Sequence, residues 1–145
     1  MTPRQIQLVR ESFGRVAPIA DVAATIFYDR LFALDPGLRR LFAATDMAEQ
    51  RKKLMQTLAV VVANLDRLEG IVPAVEALGR RHSGYGVSAS DFETVGAALL
   101  DTLEIGLKPD FTAETREAWA TAYGLLASVM ISAGEAAAEA EATAA

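Results

Sequence analysis

His82 is the only imidazole in the 145-residue chain, so any chemistry that needs a nitrogen ligand, or a side chain titrating near neutral pH, has one candidate. It ends an amphipathic stretch, Ile71 to Arg81, just before the glycine-punctuated turn Ser83-Gly84-Tyr85-Gly86. Leu78 stands one helical turn earlier and shares its face, whereas Arg80 and Arg81 point elsewhere. The ring is therefore expected at the edge of an apolar surface with cations beside it. Axial ligation of a metal suits that place, and so does a neutral ring bonded to a backbone carbonyl. Two further polar groups stand out: Tyr28, set among apolar residues, and Gln50, at the head of the apolar stripe Leu54, Leu58, Val61 and Leu65.

Composition removes several alternatives. With 0 cysteines there is no disulfide framework, thiolate nucleophile, zinc-thiolate site or iron-sulfur cluster. A net charge of −5 and a pI near 4.9 argue against nucleic acid as a partner. The basic clusters Arg39-Arg40, Arg51-Lys52-Lys53 and Arg80-Arg81 read as solvated faces, or as groups converging on the carboxylates of a bound anionic ligand. No membrane span is expected, because the longest charge-free stretch, Ala118 to Gly134, falls short of the ~20 apolar residues needed. The first residues (Thr2, Pro3, Arg4, Gln5) lack the apolar segment of a secretory signal, so a cytoplasmic location follows. The length fits one compact domain that can enclose a small cofactor.

The elements that must position these residues are helical. Thr2 with Gln5, and Pro3 at the first helical position, open a helix that runs to about Val16. A second, about Ile19 to Leu34, carries Val22, Ile26, Phe27, Tyr28, Leu31 and Phe32 and stops at Asp35-Pro36. A short turn, Gly37 to Phe42, leads to a third long helix, about Met47 to Leu68, and Gly70 separates this from the His82 segment. Ser88 with Asp91 caps a helix bearing Val95, Leu99, Leu100, Leu103 and Leu107, which Lys108-Pro109-Asp110 ends. Thr112 starts the last, in which Trp119, Tyr123, Leu126 and Met130 recur at helical spacing. Residues 134–145 are Ala/Glu-rich and read as a frayed tail after a domain of residues 1–133.

Several local patterns fall in one order along this helical chain. They are Phe27-Tyr28-x-x-Leu31-Phe32 with Pro36, Leu41-Phe42, Gln50-x-x-x-Leu54-Met55, Leu78-Gly79-Arg80-Arg81-His82-x-x-Tyr85-Gly86-Val87, and Ala118-Trp119-x-x-Ala122-Tyr123-Gly124. From about Gln5 to Met130 the chain thereby resembles a bacterial single-domain globin, of the branch that also supplies the haem domain of flavohaemoglobins. The resemblance implies an all-α globin fold with helices packed around a pocket for haem b (iron protoporphyrin IX). It makes His82 the proximal iron ligand, Phe42 the aromatic that stacks on the porphyrin, Tyr28 and Gln50 the distal polar pair, and Leu54 the apolar wall beside the bound gas. Lys53 and Arg81 would pair with the haem propionates, and Tyr85, Val87 and Phe92 would also border the cofactor. Without the resemblance, Tyr28 and Phe42 could be core aromatics, and Gln50, Lys53 and Arg81 surface residues.

Oxygen, nitric oxide and carbon monoxide are the ligands so implied. A phenol and an amide on the distal side favour oxygen, whose bound form is partly negative, more than carbon monoxide. Nitric oxide dioxygenation with an external, unidentified reductase is the implied activity, since the reductase half of a flavohaemoglobin is missing. Oxygen storage, scavenging or sensing without turnover is the alternative, and a monomer or weak dimer is expected. One departure matters: Phe92 and Gly134 stand where flavohaemoglobins place a tyrosine and a glutamate that support the proximal histidine. The His82 proton is thus expected on a backbone carbonyl, which disfavours peroxidase-like bond cleavage.

Overall fold

The computed structural model describes residues 1–144, and among them every long element is an α-helix. These are α1 (Pro3–Val16), α2 (Ala20–Leu34), α3 (Met47–Ala63), α4 (Val72–Gly84), α5 (Ala89–Leu107) and α6 (Ala113–Ala144), with 3-10 turns at Ala17–Ile19, Pro36–Phe42 and Leu68–Gly70. No helix among the described residues is long and apolar enough to cross a membrane.

The caps form where the sequence places them. Thr2 Oγ1 accepts from the Gln5 N–H at 3.1 Å, and Gln5 Oε1 accepts from the Thr2 N–H at 2.9 Å. Asp91 accepts from the Ser88 N–H at 2.9 Å, and Thr112 Oγ1 accepts from the Thr115 N–H at 3.2 Å. Each satisfies donors that a helix start leaves without partners.

Two helix ends differ from the spacing-based expectation. α3 stops at Ala63 rather than near Leu68, although Leu65 is still buried as its stripe requires. The cause is capping: the Asn64 amide turns back to the Val60 carbonyl at 2.8 Å, and Arg10 of α1 donates to the carbonyls of Val62 (3.2 Å) and Ala63 (3.1 Å). A guanidinium on the last carbonyls satisfies orphan acceptors and opposes the negative end of the helix dipole. α4, in contrast, runs past Arg81 to Gly84, so His82 lies inside the helix and not at its end. The chain leaves it through Gly86, whose φ of +86° is one that side chains with a Cβ rarely adopt.

The core lies between α1, α2, α5 and α6, and holds Leu8, Val9, Phe27, Leu31, Leu99, Leu103 and Trp119. Trp119 is buried, and its indole N–H donates to Ser12 Oγ at 2.7 Å, which ties α6 to α1. Val22, expected on the apolar side of α2, is 57% exposed, because Ala23, Ala24, Phe27, Tyr28 and Leu31 define the buried face.

α4 packs along α6 through glycine. A Cβ at Gly79 would stand 2.6 Å from Met130 Cα and 2.8 Å from its carbonyl carbon, so the two backbones touch. A Cβ at Gly134 would stand 3.0 Å from Ser83 Cβ and 3.1 Å from the Gly79 carbonyl oxygen. Gly134, read from sequence as the first tail residue, is thus buried against α4, and α6 continues through Ala144. Ala145 lies outside the described residues.

Candidate functional site

On α4, His82 Nδ1 stands 2.7 Å from the Leu78 carbonyl oxygen, one turn back. A carbonyl only accepts, so the proton sits on Nδ1 and Nε2 keeps its lone pair. The two readings of His82 are therefore compatible: the carbonyl fixes the tautomer that leaves a nitrogen free to ligate. The Phe92 ring lies 6.2 Å from the imidazole and the Tyr85 ring 6.3 Å away. Val87 is half-buried, and its N–H closes the turn onto the His82 carbonyl at 3.1 Å. Tyr85 is 66% exposed. Among the described residues no carboxylate bonds the ring: Gly134 packs on α4, and Glu135, the next residue, is exposed.

The polar pair assembles from α2 and α3. Gln50 Nε2 donates to the Tyr28 hydroxyl oxygen at 3.0 Å, so the phenol proton remains free for another acceptor. Phe42, from the turn Pro36–Phe42, meets the Tyr28 ring edge-on at 5.6 Å and the Phe32 ring at 5.5 Å. Burial pushes the Tyr28 phenol up, while the Gln50 hydrogen bond and the Arg51 charge pull it down; the balance is upward, and the group stays neutral at physiological pH. Leu54 is half-buried one turn after Gln50. Lys53 and Arg81 are exposed and form no ion pair among the described residues.

The family model for globins matches residues 25–130. The chain belongs to the globin family. This globin superposes on a bacterial globin from Campylobacter jejuni with a TM-score of 0.82 and 26% identity, over 95% of this chain and 99% of that one. It matches an engineered carbene transferase from Rhodothermus marinus, derived from a candidate nitric oxide dioxygenase, with a TM-score of 0.88 and 25% identity over 98% and 99% of the two chains. A Pseudomonas aeruginosa protein described as structurally highly homologous to a human haemoglobin matches with a TM-score of 0.80 and 27% identity over 89% and 97%.

Globins bind haem and, at its iron, diatomic gases. The residues present fit that group. No cluster of three or more His, Cys, Asp or Glu that could hold a metal converges among the described residues, so a lone imidazole suits a metal that brings its other ligands with it. Phe42, Leu54, Leu58, Leu78, Val87, Phe92 and Val95 are all left half-buried by the protein itself, which is the condition of side chains that a flat apolar group would cover.

Sequence reasoning missed the work of Tyr123, which it took only as an apolar position and a family mark. Its hydroxyl donates to the Phe92 carbonyl at 2.6 Å, and its ring fills the space over Gly96, 2.8 Å from where a Cβ would stand. The signal was available as a glycine inside an apolar helix. Burial pushes the Tyr123 phenol far above its ordinary value of 10.0. The folded form thus keeps a proton that the unfolded form loses above pH 10, so this contribution to stability is present below pH 10 and declines as pH rises beyond it. Tyr123→Phe should cost about 1 kcal/mol at neutral pH, and the gap to wild type should shrink between pH 9 and 11 in urea titrations.

Proposed function

We propose that this globin carries haem b on His82, binds oxygen beside Tyr28 and Gln50, and acts in the cytoplasm as a nitric oxide dioxygenase re-reduced by a separate, unidentified reductase. The observation that carries the reading is the 3.0 Å bond from the Gln50 amide to the Tyr28 oxygen, which leaves the phenol proton to donate. Ferrous haem, when bound, supplies the oxygen-binding iron and the electron by which oxygen and nitric oxide combine to nitrate; the reductase returns one electron for each turnover.

The chain's own residues do the rest. His82 offers Nε2 in a tautomer fixed by Leu78. Tyr28 presents a neutral O–H, made a stronger donor because Gln50 donates to its oxygen, and a ligand with negative charge gains from it by roughly 1–2 kcal/mol. Phe42 and Leu54 offer apolar contact, and Lys53 and Arg81 lie free for the propionates. The reaction needs no general base, so a pocket of oriented donors suffices. Support for this class of chemistry comes from the Rhodothermus neighbour, an engineered carbene transferase named as a candidate nitric oxide dioxygenase.

A second reading, oxygen binding or storage without turnover, is favoured by the backbone carbonyl, rather than a carboxylate, on His82 Nδ1. Turnover of nitric oxide by the oxy protein with a cellular flavoprotein reductase distinguishes the two; stoichiometric loss without recovery would support storage. For the distal pair, oxygen dissociation should quicken about tenfold in Tyr28→Phe and by a smaller factor in Gln50→Leu by stopped flow. Unchanged rates in both would remove these residues from the ligand's surroundings.

A further inference from the structure

Arg51 follows Gln50 on α3 and leans towards α2, where its Nε lies 3.6 Å from Asp21 Oδ1. That is an ion pair but too long for a hydrogen bond, and the Nε is buried with no hydrogen-bond partner. The two partners are unequally wet: the Arg51 side chain is 29% exposed and that of Asp21 90%. Water therefore screens the carboxylate far more than the guanidinium, and the pair leaves an uncancelled positive field at the α2–α3 junction. Tyr28 and Gln50 meet at that same junction. The Arg51 charge reaches the Tyr28 hydroxyl, since it pulls the phenol's pKa down and so favours its ionised form against the effect of burial. Lys52, the next residue, is exposed and occupied with Glu49 at 3.5 Å. An unpaired buried N–H is costly, which is poor construction for a mere tie between helices.

We propose that Arg51 is a positioning residue for charge: its guanidinium sets a positive potential at the Tyr28–Gln50 pair that favours anionic and negatively polarised ligands, with Asp21 as a partial counterweight. The inference rests on the reading of that pair as the ligand side of the haem. It makes a signed prediction. Removing the cation must weaken anion binding, and removing its exposed counterion must strengthen it.

Azide titration of the ferric, haem-loaded full-length protein tests it, together with the C–O stretch of the ferrous carbon monoxide form, which falls as the potential at the ligand becomes more positive. Arg51→Met should weaken azide about fivefold and raise the stretch. Asp21→Asn should tighten azide about twofold and lower the stretch, and Arg51→Lys should stay near wild type. A purely structural tie would send Arg51→Met and Asp21→Asn in the same direction, and that result, or no change in either, overturns the proposal. Asp21 is on the surface, so its variant gives the sign even where Arg51→Met fails to fold. A wild type that takes up no haem removes the functional reading and this inference together; a haem-loaded wild type with same-sign variants removes this inference alone.

Discussion

His82→Ala should yield a folded, nearly colourless protein. The side chain makes one hydrogen bond, to the Leu78 carbonyl, and is half-buried, so its loss costs about 1 kcal/mol of stability and the helical circular dichroism should be retained. What disappears is the chain's only neutral nitrogen ligand, since there is 1 histidine and no cysteine. Haem added to the variant should give no defined five-coordinate ferrous spectrum, whereas the wild type should. Free imidazole, which fits the space the alanine leaves, should restore that spectrum in the variant. An unaltered ferrous spectrum in His82→Ala without imidazole would show that iron is held elsewhere.

Gly79→Val should be the most damaging single change to the fold. Its Cβ would collide with the Met130 backbone, which cannot rotate away as a flexible side chain could. Relief requires α4 to separate from α6, and the cost is about 3 kcal/mol or more, beyond ordinary core overpacking. Gly124, in the interior of α6, offers the contrast: nothing lies within 4 Å of its ideal Cβ, so Gly124→Ala should stabilise by roughly 0.5–1 kcal/mol through helix propensity. Urea unfolding of both variants checks the pair. Equal effects would show that these glycines matter only for backbone entropy and not for the close approach.

The legible parts of this globin are those governed by local rules. Thr2 with Gln5, and Ser88 with Asp91, announce their helix starts, because a cap needs two residues at one spacing. The His82 bond to a carbonyl was also foreseeable, from the phenylalanine and glycine at the two positions where the resemblance to flavohaemoglobins leads one to expect tyrosine and glutamate. Illegible from sequence were features made by residues distant along the chain. Arg10 ends α3 from α1, and no periodicity inside α3 contains that information. Arg51 looked like one member of a solvated basic run until packing against α2 left its Nε dry. Gly134 looked like the first residue of a low-complexity segment because its reason for being small, the Gly79 carbonyl and Ser83, lies on another helix.

The Gly79 crossing also bears on His82. Gly79 follows Leu78, whose carbonyl aims the imidazole, and it rests on Met130 with no side chain between the backbones to absorb movement. A shift of α6 at this crossing would therefore carry the Leu78 carbonyl and, with it, the His82 ring. The hold of α6 on this imidazole thus passes through its backbone at Met130.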